Sequence, residues 1–315
     1  MKDRILKMKK LILVLLFIAL AATNLVSAKE KTDDELLRET VLLSGQVKEY
    51  GKTLGIEPTA ALSKSAKEQK PVSIIILYTQ KRGSLKFTNF KHLILTFHLS
   101  SGDMSIKKYS LYHPDLSIFV RQVDEFSGDE SVITLNFAKQ SAAAKVATIL
   151  HEDLHGFINI DVDSYLSKTQ EILVTPLGFI AALKFFEYKN DPQNIIEISR
   201  QITYFRTMSK ELNALENEKI TCPEIYEIQL LDKFPVFKAR FDSMRKSFSD
   251  CIAEEAIITH ELRYWKYFDK VFALYEKSND LKTLIEDMKK APGKLEELEK
   301  YMETLDAKYS PVIRE

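Results

Sequence analysis

The stretch VATILHEDLHGFINID, Val146 to Asp161, decides how the chain is read. Val146, Leu150, Leu154 and Ile158 recur every four residues, which predicts an amphipathic helix. Ser141 is its candidate N-cap and Gly156 its candidate C-terminal cap. On that helix His151 and His155, at i and i+4, project from one face about one turn apart, so their imidazoles can meet at one ion. Glu152 projects about 100° further round, where its carboxylate can reach a water at the ion without being a ligand. This is the mechanical content of H-E-x-x-H: two metal ligands and a general base. The bland alternative is an ordinary amphipathic helix that happens to carry two imidazoles. His92, His98 and His113, isolated in the sequence, are expected on strand surfaces or in turns.

A zinc ion with one vertex open needs a third protein ligand. Two acids compete for that place. Asp161 follows His155 by six residues, but a sharp turn at position 158 would have to bring it back, and Ile158 stands where such a turn needs glycine. Glu171, in KTQEILVTPLGFIAALKFFEY, opens the next expected helix and can approach the two histidines from the side. Its alternative reading is a solvated first-turn acid favoured by the helix dipole. Glu171 is the stronger candidate, and Asp161 stays open.

Outward from the motif, the chain divides by composition. Residues 1–28 have a basic start, an apolar run LILVLLFIALAA and a small-residue end at Val26 and Ala28, the layout of a secretory signal peptide. Residues 29–70 are read as a helical segment, with Leu36, Leu37, Val41 and Val47 as its apolar stripe, followed by a linker around Pro58 and ALSKSAKEQKP. Residues 71–315 are read as the main domain, a sheet over 71–137 and a helical body over 138–315. The expected strands are PVSIIILYTQ, HLILTFHLS, IKKYSLYH and SVITLNF (Ser131 to Phe137), with SGDMS as a hairpin turn. The expected helices are 141–156, 168–189, 192–219, 223–248, 250–277, 279–290 and 294–307. Pro176 is expected to kink the second or to mark a later start, while Pro192, Pro223 and Pro292 suit helix starts. A small sheet followed by a helical body is an α+β arrangement.

Charge excludes one class of partner. Lys plus Arg and Asp plus Glu number 45 each, and a leader carrying five basic residues and one acid leaves 40 and 44 behind it. A slightly acidic chain without basic clusters is not expected to bind nucleic acid. After leader cleavage no stable membrane span is expected, so the mature protein is read as periplasmic or secreted. Cys222 and Cys251 in an oxidising compartment can form a disulfide or stay as buried thiols.

HEDLHGF, QEILVTPLGFIAALKFFEY and EEAIITHELRYWKYFDKVFALYEKSNDLKTLIEDMK together resemble the gluzincin-type family of predicted aminopeptidases. The resemblance spans roughly residues 130–290. It implies a zincin-like fold, Zn²⁺ as cofactor, Glu171 as third ligand and Gly178 as the glycine of the ligand helix. The family's late helix begins Asn-Asn-Ala with a tyrosine eight residues after the alanine. Here it reads Glu254-Glu255-Ala256, a departure, and the tyrosine place holds Tyr264.

The expected function is therefore an exported zinc peptidase acting on peptide or protein substrates. His151, His155 and Glu171 are its metal ligands and Glu152 its general base. Tyr264 is read either as a donor to an oxyanion or as part of a packing cluster with Trp265, Tyr267 and Phe268. Glu254 or Glu255 is read as a site for a substrate's free amine or as a plain surface acid. Ser131–Phe137 is a candidate edge strand for extended substrate. Two other readings stand beside it: a non-enzymatic exported helical binding module, and a metal-binding zincin-like protein without turnover.

Overall fold

A computed structural model describes residues 31–69, 74–86, 90–95, 108–123, 126, 128, 131–158, 170–221, 230–246 and 254–310. The described residues up to Leu36 belong to one unit and those from Leu37 onward to another. The expected leader, the SGDMS turn, His98, Asp161, Pro223 and both cysteines lie outside the described residues. Among those described, no helix is long and apolar enough to cross a membrane.

The described chain is mostly helical with a small antiparallel sheet, the α+β arrangement expected. After helix α1 (Asp33–Thr53) come strands β1 (Ile74–Lys81), β2 (Lys91–Leu95) and β3 (Leu116–Val123). Then follow α2 (Leu135–Ala138), α3 (Ala142–Phe157), α4 (Gln170–Tyr188), α5 (Pro192–Thr221) and α6 (Pro235–Lys246). The chain finishes with α7 (Glu254–Trp265), α8 (Phe268–Ser278), α9 (Leu281–Met288) and α10 (Leu295–Tyr309).

The strands lie in the order β2-β1-β3. The apolar run of β1 makes it the central strand, buried from Ile75 to Gln80 because both faces are covered. Register sets Leu77 opposite Val120 and Tyr78 opposite Phe119. One face then carries Ile75, Leu77, Ile118 and Val120, which pack with Tyr109 and Leu116. The other face carries Tyr78, Phe119 and, further along β3, Arg121 and Val123. Helix α7 lies on this second face. Ser117 Oγ accepts from the Ala256 amide at 3.0 Å, and Gln80 Nε2 donates to Thr259 Oγ1 at 3.1 Å.

Two strand expectations are corrected. IKKYSLYH carries a helical turn at 108–112, where Leu111 and Tyr112 are exposed, and the chain turns at His113 into β3, a strand the sequence reading missed. Ser131–Phe137 buries Val132 and Ile133, yet among the described residues it pairs only through a single parallel bridge between Ser65 and Ile133. Thr134 then caps α2, its side chain accepting from the Phe137 amide, so no edge strand is offered there. The bridge also ties down the expected linker. Leu62 and Ala66 donate their amides to Ser131 O and Ile133 O, both at 2.9 Å.

The helical expectations need smaller corrections. Segment 250–277 breaks at Lys266–Tyr267 into α7 and α8. The Lys266 carbonyl is taken instead by Ser209 Oγ at 2.9 Å and Asn213 Nδ2 at 2.7 Å. Helix α6 starts at Pro235, inside the expected 223–248. Helix α4 runs through Pro176 without ending.

Candidate metal centre

Helix α3 starts where expected, with Ser141 accepting from the Ala144 amide. Val146, Leu150, Leu154 and Ile158 are all fully buried, which fixes its rotation and turns His151 and His155 toward α4. Gly156 does not cap the helix: it lies inside the last turn, and Ile158 is the C-cap. A glycine is needed there for another reason. A Cβ at this position would stand 2.6 Å from the Thr59 methyl.

Helix α4 crosses α3 very closely. A Cβ on Gly178 would meet the Ala147 carbonyl oxygen at 3.0 Å and His151 Cβ at 3.2 Å. The missing side chain lets α4 settle against the histidine face, which brings Glu171 within reach. Gln170, just before it, donates its amide to His155 O at 2.8 Å and Ile158 O at 2.6 Å. Those are carbonyls that the end of α3 leaves without helical partners. A third anchor comes from below. The carboxylate of Asp153 accepts from Lys48 Nζ at 2.6 Å and from the Thr59 amide and hydroxyl at 2.9 and 2.8 Å. Neither Gln170 nor the Lys48–Asp153 pair could be read from sequence, since each works between segments far apart in it.

These supports bring His151, His155 and Glu171 together, and this group could hold a metal ion. The two Nε2 atoms are 3.0 Å apart, and Glu171 Oε2 lies 3.4 and 3.5 Å from them. Three ligands of a tetrahedral ion with bonds of about 2.0–2.1 Å stand about 3.3 Å from one another, so the spacing fits. The chemistry fits too. Two imidazole lone pairs at such a separation repel unless a proton or a cation lies between them. Glu171 Oε2 is buried and makes no hydrogen bond, which in a neutral pocket costs free energy.

The charges agree with an ionised carboxylate here. Burial alone would raise the carboxyl of Glu171, but the positive charge of His155 holds it well below the usual range. Burial would conversely lower the His155 imidazole, and the Glu171 charge raises it to about 9. Arg263 Nη2 stands 3.9 Å from Glu171 Oε1. Glu152 is also buried, with Oε1 3.9 Å from His151 Nε2. Burial pushes its carboxyl upward, against the pull of the two histidines.

The site opens onto a cavity of about 580 Å³ lined in part by His151, Glu152, Thr175, Phe179 and Tyr264. Tyr264 comes from α7 and packs against the His260 ring, with centroids 4.9 Å apart. The aromatic packing cluster is a separate one, built from Phe179, Phe205, Trp265 and Phe268. Burial and the charge of Glu171 hold the Tyr264 hydroxyl well above its ordinary value, so it keeps its proton. Glu254 and Glu255 do not reach the cavity. Glu255 accepts from the Gly83 amide at 2.7 Å, and Glu254 pairs with Arg245 at 3.0 Å. Both anchor α7, so neither serves as a receptor for a substrate amine. His113 lies in the turn before β3, its ring against Tyr109.

Sequence reasoning also missed a second buried histidine–glutamate pair. His260 Nδ1 and Glu261 Oε1 are 3.0 Å apart, and Glu261 is gripped by Arg240. No family model, curated protein or solved structure matches this chain.

Proposed function

We propose that this chain is an exported zinc-dependent peptidase. The observation that carries the reading is the convergence of His151, His155 and Glu171 on one point beside the buried Glu152, at the wall of an open cavity. The leader-like residues 1–28 are the ground for export.

His151, His155 and Glu171 would hold the ion. Zinc, when bound there, supplies the acidification of a water and the polarisation of a carbonyl. Glu152 takes the proton from the attacking water as the new C–O bond forms, and delivers it to the nitrogen as the C–N bond breaks. Its raised carboxyl suits a group that must first gain and then release a proton near neutrality. Tyr264, which keeps its O–H, can donate to the carbonyl oxygen as that atom gains charge.

The test is elemental analysis together with hydrolysis of a mixed peptide pool, for the wild type and for Glu152→Gln. The expected result is one bound ion in both proteins and turnover only in the first. Wild-type rates in a metal-loaded Glu152→Gln protein would remove Glu152 as base. A metal-loaded wild type that cleaves nothing in the pool would leave a metal-binding protein and end the peptidase reading.

A further inference from the structure

The charge around the cavity is one-sided. Besides Glu152, its charged lining is Arg121, Arg200 and Arg240. Arg240 is neutralised by Glu261 behind it. Arg121 and Arg200 are both exposed and line the cavity, and neither has a carboxylate within ion-pair distance among the described residues. They come from different elements, β3 and α5. Arg121 is aimed inward by strand register, on the face that also carries Phe119, whose ring meets His260 at 5.2 Å. The Thr175 hydroxyl, one turn beyond Glu171 on α4, also lines the cavity and has no hydrogen-bond partner.

A pair of guanidinium groups facing one space, with no carboxylate in ion-pair contact among the described residues, matches a planar anion that can accept two parallel hydrogen bonds. In a peptide that anion is a carboxylate. The opposite polarity, capture of a free amine, would need an unpaired acid, and the acids of α7 are already engaged.

We propose that Arg121 and Arg200 form a carboxylate-binding subsite of the metal cavity, selecting substrates that carry a C-terminal carboxylate or an acidic side chain near the bond to be cleaved. This rests on the peptidase reading for its substrate class, and a binding measurement separates the two. Trp265 is the only tryptophan of the chain and lines the same cavity, so its fluorescence reports occupancy.

Four N-acetylated tetrapeptides are titrated into metal-loaded Glu152→Gln protein, which holds them without turnover. They are a neutral free acid, the same sequence as its amide, an amide with one glutamate, and an amide with one lysine. The free acid, the glutamate peptide or both should bind about ten- to hundredfold more tightly than the neutral amide. Preference for the free acid assigns the subsite to a C-terminus, and preference for the glutamate amide assigns it to a side chain. Arg121→Gln or Arg200→Gln in the same background should erase the preference. This also separates the arginines' effect from the charge removed with Glu152. Arg200 lies exposed on its helix, so its variant keeps the test open even if Arg121→Gln does not fold. Equal binding of all four peptides, no binding of any, or a preference that survives both arginine substitutions overturns the proposal. Selective binding without wild-type hydrolysis keeps it and sinks the peptidase reading; hydrolysis with equal binding does the reverse.

Discussion

The described residues hold two histidine–glutamate groups, and they are finished differently. At His260–Glu261 the carboxylate is answered within the chain: Glu261 accepts from the imidazole Nδ1 and from Arg240, and the one buried atom left without a hydrogen bond is the single ring nitrogen His260 Nε2. At His151–His155–Glu171 the carboxylate oxygen facing both imidazoles has no hydrogen bond, and the two ring nitrogens face each other at 3.0 Å. A buried acid beside a histidine is therefore not in itself a metal site. The difference lies in whether the third partner is an arginine or a second lone pair.

The strongest way to break that comparison is to remove ligands from each group. His151→Ala, His155→Ala and Glu171→Ala should each reduce metal content to background, and turnover with it. His260→Gln and Asp161→Ala should leave one ion per chain. Elemental analysis after dialysis decides it. Metal retained by Glu171→Ala but lost from Asp161→Ala would move the third ligand to Asp161. Next in size is Glu152→Gln. It should keep the ion and lose about 10²- to 10⁴-fold in kcat, the range for a positioned general base.

The histidines of the two groups should also oppose each other in how stability depends on pH. His260 is lowered by burial to about 4, against an ordinary 6.5, so between those values the unfolded chain binds the extra proton. Stability should then fall as pH drops from 6.5 to 4, by on the order of 3 kcal/mol. Glu261 adds to the loss lower down. Burial would raise it, but Arg240 and His260 hold it at about 2, so its share is present above 4.5 and disappears as pH falls toward 2. His155 works in the other direction. Without metal its imidazole titrates near 9, so its contribution is complete below 6.5 and is lost as pH rises to 9. Thermal unfolding of metal-free protein from pH 4 to 9 should show both limbs. His260→Gln should flatten the acid limb and His155→Gln the alkaline one. A single limb that responds to both variants would mean the two groups are not independent.

What could be read in advance follows the same division. Helix α3 was legible because its apolar residues repeat every four positions and a serine stands at its start, signals carried within one element. Glu171 was legible as the first acid of the next helix. The sheet was less so. Val132 and Ile133 are good strand formers, yet what they meet is a single bridge to Ser65, which local pattern does not encode. Misplacing β3 also hid Arg121, because a residue's side of the sheet is known only once its strand is. The break at Lys266 depends on side chains of α5 reaching one carbonyl, and no proline or glycine announces it. The supports of the metal group, Gln170 and the Lys48–Asp153 pair, are likewise tertiary.

The finest test of the comparison is Gly178→Ala, since it touches the metal group without removing a ligand. The added methyl would meet the Ala147 carbonyl at 3.0 Å, an atom of helix backbone that cannot turn aside, and His151 Cβ at 3.2 Å. Helices α3 and α4 must then separate by a few tenths of an ångström, at a cost of about 1–3 kcal/mol in unfolding free energy. Glu171 rides on α4, so the same separation lengthens its approach to both imidazoles, and metal affinity should weaken by about tenfold, as when a supporting contact is lost. The His260–Glu261 pair takes its charge partner, Arg240, from α6 and not from this crossing, so the acid limb of stability should keep its slope. Urea unfolding and a competitive chelator titration measure the two effects separately. An alanine variant with wild-type metal affinity would mean that the spacing of the three ligands does not depend on how closely these helices cross.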